Sequence, residues 1–260
     1  MTHKAIRFLV LVSLGACAAR AQGNLAHFTY GGGYTSTFTF VNQDTTAAAN
    51  ASLYFYNDDG SPATVPVGGV STPSPYNFTI PPNGSSTFVL PDPGTGSAPW
   101  GWAQLVVTDS GPVNGQLTFR RSGSASAPAT ETVVPLSGVQ TACVLPLPNS
   151  NPVILIPFDN TTGAHGTAIA LANTTTAALT LTFEFDDQAG SVISKHANIS
   201  FGALNHTAWL MTSSNQYPET TNKVGVLKIT GMNASSDVAV VALLFNTASN
   251  TLTTVLPILQ

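Results

Sequence analysis

Charge is the scarcest property of this chain: of its 260 residues only 8% are Asp, Glu, Lys or Arg, against about a quarter in ordinary globular domains. That shortage argues against a charged disordered tail, a coiled coil and a nucleic-acid binder, all of which depend on charge. Cysteine is scarce too, with two residues, too few to staple a small disulfide scaffold. No apolar run approaches the roughly 20 residues needed to cross a bilayer as a helix. Several chemical signatures are also missing. The histidines form no H-E-x-x-H or H-x-H pair for zinc, and no G-x-S-x-G elbow supports a serine nucleophile. No glycine run precedes a helix that could hold a phosphate. On this reading the chain is not an enzyme and carries no cofactor.

What is plentiful is turn chemistry. Twenty-two glycines and 18 prolines accompany abundant Thr, Ser and Asn, the composition of an exported all-β protein. Residues 1–21 read as a signal peptide. Lys4 and Arg7 precede a short apolar core from Phe8 to Ala16, and Ala19-Arg20-Ala21 offers small residues for cleavage before Gln22. Leu14-Gly15-Ala16-Cys17 offers an alternative, a lipobox that would lipidate Cys17 and anchor the chain to the envelope. Removing the leader discards Lys4, Arg7 and Arg20. Five basic residues then face all 12 acidic ones, and the formal charge moves from −4 to −7. Such a surface repels nucleic acid and anionic lipid. Either processing route leaves Cys143 without an intramolecular partner, as a free buried thiol or an intermolecular disulfide.

The rest of the chain repeats itself. Asn42, Thr46-Ala47-Ala48, Phe55 and Gly60-Ser61 recur as Asn173, Thr176-Ala177-Ala178, Phe185 and Gly190-Ser191. Gly101 matches Gly225, and Phe119-Arg120 is aligned with Phe245-Asn246. Each copy closes on a similar phrase, Thr132-Val133-Val134-Pro135-Leu136 and Thr254-Val255-Leu256-Pro257-Ile258. The matches predict two homologous domains, 23–137 and 152–260, joined by a linker at 138–151. Within each, apolar and polar residues alternate, as in Phe38-Thr39-Phe40-Val41, and turn residues recur every 8–12 positions. That spacing predicts seven or eight strands per copy in an immunoglobulin-like β-sandwich. The predicted inward set is Phe38, Phe40, Leu53, Phe55, Leu105, Leu117 and Phe119, then Ile169, Leu171, Phe183, Phe185, Val226 and Phe245.

Tyr30-Gly31-Gly32-Gly33-Tyr34, Asn57-Asp58-Asp59-Gly60-Ser61-Pro62, Ile80-Pro81-Pro82-Asn83-Gly84 and Gly101-Trp102-Ala103-Gln104 form a pattern. It resembles the tandem β-sandwich modules of exported bacterial proteins. The resemblance covers nearly all of the chain after the leader. It implies fold and export, and it transfers no catalytic residues.

Two groups of residues stand out as candidate sites. Asp58-Asp59 and Asp186-Asp187 are paired carboxylates that could hold Ca²⁺ at a sandwich end, or could simply close hairpins, since Asp caps its own backbone and Gly follows. Tyr54, Tyr56, Trp100 and Trp102 could stack on sugar rings. Tyr54 and Tyr56 alternate with Leu53 and Phe55 and so share the face opposite the core. Copy two carries Glu184 and Asp186 there, which fits either a glycan patch on copy one or a contact between the domains. The expected role is adhesion, structure or display at the cell surface, as a secreted or envelope protein whose partner is a glycan or a surface protein. The alternatives are a carbohydrate-binding module and an enzyme whose site lies between the domains, with Asp159 and His165 converging.

Overall fold

The computed structural model describes residues 22–94, 96–108, 112–123, 129–140, 151–212 and 216–260. The leader with Cys17, and Cys143, lie outside them. The described chain is all-β. Its first half supplies β1 (Gln22–Thr29), β2 (Tyr34–Asn42), β3 (Ala49–Tyr56), β4 (Thr64–Val67), β5 (Val70–Pro73), β6 (Tyr76–Ile80), β7 (Ser85–Leu90), β8 (Trp100–Val107), β9 (Val113–Arg121), β10 (Thr130–Pro135) and β11 (Ser137–Gln140). The second half supplies β12 (Ile154–Asp159), β13 (His165–Asn173), β14 (Leu179–Asp187), β15 (Val192–Phe201), β16 (His206–Leu210), β17 (Val224–Thr230), β18 (Val238–Asn246), β19 (Thr251–Val255) and β20 (Ile258–Leu259). Among the described residues one 3₁₀ turn, Pro218–Thr220, interrupts the strands.

Strand order makes the sequence repeat visible. The first half forms a five-stranded sheet, β11-β1-β8-β3-β6, and a four-stranded sheet, β10-β9-β2-β7. The second forms β20-β12-β17-β14-β15 and β19-β18-β13-β16, the same order strand for strand. Nine strands per half thus join the main sheets, more than the seven or eight expected. The closing phrase accounts for part of the surplus. Proline offers no N–H to a ladder, and at Pro135 the chain leaves one sheet; β11 then pairs with β1 in the other. Around Pro257 the chain repeats the move, and β20 pairs with β12. β4 and β5 form an extra hairpin in the longer Gly60–Phe78 connection of the first half.

The expected core of the first half is met in full: Phe38, Phe40, Leu53, Phe55, Leu105, Leu117 and Phe119 are all buried. The edge-to-face contact of Phe55 with Phe38 at 5.6 Å bridges its two sheets, and Phe28, on the same sheet as Phe55, packs against it at 5.5 Å. In the second half Ile169, Leu171, Phe183 and Phe185 are buried as expected, but Val226 and Phe245 are not core residues. On β17 the buried positions are Leu227 and Ile229, so Val226 faces the other way. On β18 Val238, Val240 and Ala242 point into the second core. Phe245 belongs to the opposite, odd-numbered face. The alignment of Phe119 with Phe245 was one residue out. Asn42 and Asn173 fix the register, so Phe119 corresponds to Leu244, and a slip of one residue turns a side chain to the other face.

The repeated residues have structural work in common. Asn42 and Asn173 are both fully buried. The Asn42 amide donates to the carbonyls of Ala47, Ile80 and Pro81 at 2.8, 3.3 and 3.2 Å. The Asn173 amide donates to Ala177, Phe201 and Gly202 at 2.8, 3.2 and 2.7 Å. Each therefore ties together loops at one end of its sheets. Gly101 and Gly225 answer a second need: a Cβ would lie 2.0 Å from the Tyr56 carbonyl oxygen in one case and 1.9 Å from that of Asp186 in the other. Asn42→Ala and Asn173→Ala should each cost about 3 kcal/mol, because several buried carbonyls lose their donor at once. Denaturant titration of the purified variants measures this, and the two losses should be similar in size.

Candidate functional site

The halves meet along one face of the sheet β16-β13-β18-β19. Ala170, Ala172, Ala239, Val241 and Leu243 project from it into the hydrophobic cluster of the first half. At the edge of this contact the repeated closing strands touch: Thr132 and Thr254, which occupy matching places in the two phrases, share a hydroxyl hydrogen bond of 2.9 Å.

A polar chain crosses the junction nearby. The Asp58 carboxylate lies 2.7 Å from Nδ1 of His206, and Nε2 of His206 lies 3.2 Å from Nδ1 of His27. The other Asp58 oxygen accepts the indole N–H of Trp100 at 2.7 Å. An ionised carboxylate only accepts, so Nδ1 of His206 carries the proton it donates. In the neutral pair its Nε2 then accepts from His27. The His206 side chain is fully buried, and the two imidazoles stack with centroids 5.2 Å apart. Burial of Asp58 opposes its ionisation, but the hydrogen bonds from His206 and Trp100 outweigh it and hold the carboxyl below its usual range. Burial, reinforced by the neighbouring His206, pushes His27 down to about 3. His27 is therefore neutral throughout the ordinary pH range.

Two sharp turns bring these groups together. Asp58-Asp59-Gly60 closes a hairpin, with Asp59 accepting from the Ser61 N–H and hydroxyl at 2.9 and 2.5 Å. The turn rests on residues 203–206, where the His206 N–H donates to the Asp58 carbonyl at 3.0 Å. A Cβ on Gly60 would approach the Ala203 carbonyl oxygen to 2.5 Å, whereas at the matching Gly190 it would meet nothing within 4 Å. Both glycines have a φ of +80°, so only their surroundings differ.

The sequence-predicted residues divide accordingly. Tyr56 stacks on Trp102 at 4.6 Å, and Trp102 is fully buried, donating its indole N–H to the Leu204 carbonyl at 2.7 Å. It has no free face for a sugar. Tyr54 and Tyr56 are half-buried. Trp100 alone of the four is well exposed, at 48%. The four aspartates do not gather into one site. Asp187 accepts from the Ala189 and Ser191 N–H groups, as Asp59 does in its own turn. Asp186 is buried and paired with Lys228, which also reaches Glu184 at 3.2 Å. Among the described residues no group of three or more His, Cys, Asp or Glu side chains is placed to hold a metal. Asp159 and His165 do converge, at 3.0 Å.

His165 and His27 lie on the wall of one groove of about 620 Å³ between the halves, with Trp100 from the first half and Ala168, Leu210 and Phe245 from the second. A smaller cavity of about 200 Å³ adjoins it past His27, Trp100 and Phe245. Sequence reading names Trp100 as a stacking aromatic and His165 in a site between the domains, but it misses His27 and Phe245, which only the fold brings beside them.

Two measurements test the junction. His27 takes up a proton in the unfolded chain near its ordinary 6.5 and in the folded chain only near 3. Its contribution is thus complete above about pH 6.5 and is lost progressively as pH falls towards 3. Melting temperatures of the wild type should fall between pH 6.5 and 4 more steeply than those of His27→Gln. Gly60→Ala should destabilise by about 1–3 kcal/mol more than Gly190→Ala, the excess being the overpacking at the junction. Paired denaturation curves give that difference directly.

Compared with known proteins, the chain matches no family model and no curated relative.

Proposed function

We propose that this chain is an exported, non-enzymatic protein of two tandem immunoglobulin-like β-sandwich domains, acting at the cell surface or envelope in adhesion or display. The observation that carries the reading is the use made of polar groups at the junction. Asp58, His206 and His27 are spent on holding the halves together, and His27 binds protons only near pH 3. A base so weak is poorly matched to proton transfer near neutrality. No hydroxyl or thiol among the described residues is hydrogen-bonded to a histidine, so none is poised as an activated nucleophile. The repeated strand order and the apolar contact between the halves suit a stiff presenting element. The leader at 1–21 supplies the export.

A second reading, a carbohydrate-binding module, is favoured by the exposure of Trp100. In that reading the indole stands at the junction groove, at the end of the sheet face that also carries Tyr54 and Tyr56.

The test has two parts. Mass spectrometry of protein recovered from outside the cytoplasm should find either Gln22 as N-terminus or a lipidated Cys17. The purified chain should turn over none of a panel of glycoside, ester and peptide substrates. Turnover abolished by His27→Ala or His165→Ala would overturn the non-enzymatic reading, and retention in the cytoplasm would overturn export.

A further inference from the structure

From the geometry of the junction groove we infer a binding site for an uncharged saccharide, stacked on Trp100 and Phe245. The inference rests on the non-enzymatic reading and names the ligand class that an adhesion protein of this shape would hold.

Four features carry it. The first is volume: about 620 Å³, with about 200 Å³ adjoining, falls within the range of sites for small ligands. The second is a pair of exposed aromatic faces, one from each half. Trp100 is 48% and Phe245 37% exposed, and both border the groove and its adjoining cavity. Unlike apolar residues exposed singly elsewhere, these two rings border one concave groove, the setting in which exposed apolar surface serves a ligand. The Trp100 ring is also oriented, because its only polar atom is already bonded to Asp58. What remains for a ligand is a carbon face held in one place, the requirement for stacking against the C–H face of a pyranose ring.

The third feature is the character of the rim. Thr162, Thr212 and Thr221 border the groove, and their hydroxyls form no hydrogen bond with any described residue. The Thr247 hydroxyl donates to the Gly163 carbonyl at 2.8 Å and keeps its lone pairs to accept. His27 presents a neutral imidazole at the same wall. Hydroxyl groups that both donate and accept match the hydroxyls of a sugar.

The fourth feature is charge. Among the described residues no Lys, Arg, Asp or Glu borders the groove or the cavity. A phosphorylated, sulfated or carboxylated ligand would leave its charge without a partner in a partly desolvated place, which is costly. A wholly apolar ligand such as an acyl chain would in turn bury the threonine hydroxyls unpaired. An uncharged, hydroxyl-rich molecule with one apolar face satisfies both walls.

The experiment screens the purified full chain on an array of neutral and acidic glycans, then titrates the best neutral oligosaccharide by calorimetry. Binding of neutral glycans is expected, weakened about tenfold or more by Trp100→Ala and by Phe245→Ala, the effect of losing a stacking face. Trp100→Phe keeps a ring and should recover part of the affinity, while Tyr54→Ala, outside the groove, should leave it unchanged. Melting curves of each variant guard against misfolding, and Phe245→Ala stands if Trp100→Ala does not fold. No neutral glycan bound at millimolar concentration overturns the proposal, as do preference for acidic glycans, binding to fatty acid instead, or affinity indifferent to both aromatic substitutions. Hydrolysis of the bound glycan would instead overturn the non-enzymatic reading while leaving the site in place.

Discussion

Everything distinctive about this molecule depends on a strand pair buried on both faces over most of its length. β13 and β18 send Ile169, Leu171 and Ala242 into one core, and Ala170, Ala172, Val241 and Leu243 into the other. A sheet in a sandwich ordinarily buries one face and wets the other. Here the second face is apolar as well and must be covered, and the first half covers it. Small residues dominate the shared surface, which lets the two layers approach closely. The hydrophobic effect thus fixes the relation of the halves, and polar groups at the margin only refine it.

The same strand positions carry different residues in the two halves because their surroundings differ. Tyr56 and Trp102 occupy the places that Asp186 and Val226 hold in the second half. In the first half this face lies under the 203–206 turn, where a stacked Tyr–Trp pair and an indole hydrogen bond are at home. In the second half the matching face carries Glu184, Lys195 and Lys228 in a chain of ion pairs with Asp186. The pairs of Glu184 with Lys195 and Lys228 lie near the surface, where such pairs add little to stability, whereas the Asp186 carboxylate is buried and depends on Lys228. Asp58 lies in its turn and Asp186 on the strand leading to the matching turn, and they end in unlike roles, one bonded to a buried histidine and one to a lysine.

The sequence is legible wherever local chemistry repeats. Asn42 and Asn173 advertise a shared requirement, three carbonyls needing one amide, and Gly101 and Gly225 advertise a shared close approach. The inward set that alternation picks in the first half is buried throughout, since β2 and β3 alternate cleanly between a buried and a wetter face. Alternation fails at Val226, an apolar residue on the part-exposed face that also carries Lys228, and at Phe245, on a strand most of which is buried on both faces. The candidate site is less legible still. His27 and His206 are 179 positions apart, and nothing in either neighbourhood announces the other. Trp100 could be marked as aromatic, but its exposure, and the burial of Trp102 two residues on, depend on a turn in the opposite half. Long-range contacts of this kind leave no periodic trace.

The junction is also where a repeat protein has most freedom to acquire a role. Within each half, the buried amide, the close glycines and the Phe-rich core tolerate little change, because each loss exposes a cavity or an unpaired group. The exposed loops and outer faces are freer, but the concavities lined by one half alone are smaller, at about 270 and 330 Å³. Only where the two copies meet do residues from both combine into a walled groove, and there matching positions have diverged. Gly60 sits against Ala203 while Gly190 stands clear, and Trp102 stands where the other half has Val226. Divergence at the contact between otherwise equivalent units creates a surface that neither unit possesses alone. Trp100 and Phe245 face one groove for that reason: each lies at the margin of its own half, and the apolar seam between β1, β13 and β18 holds both margins in place.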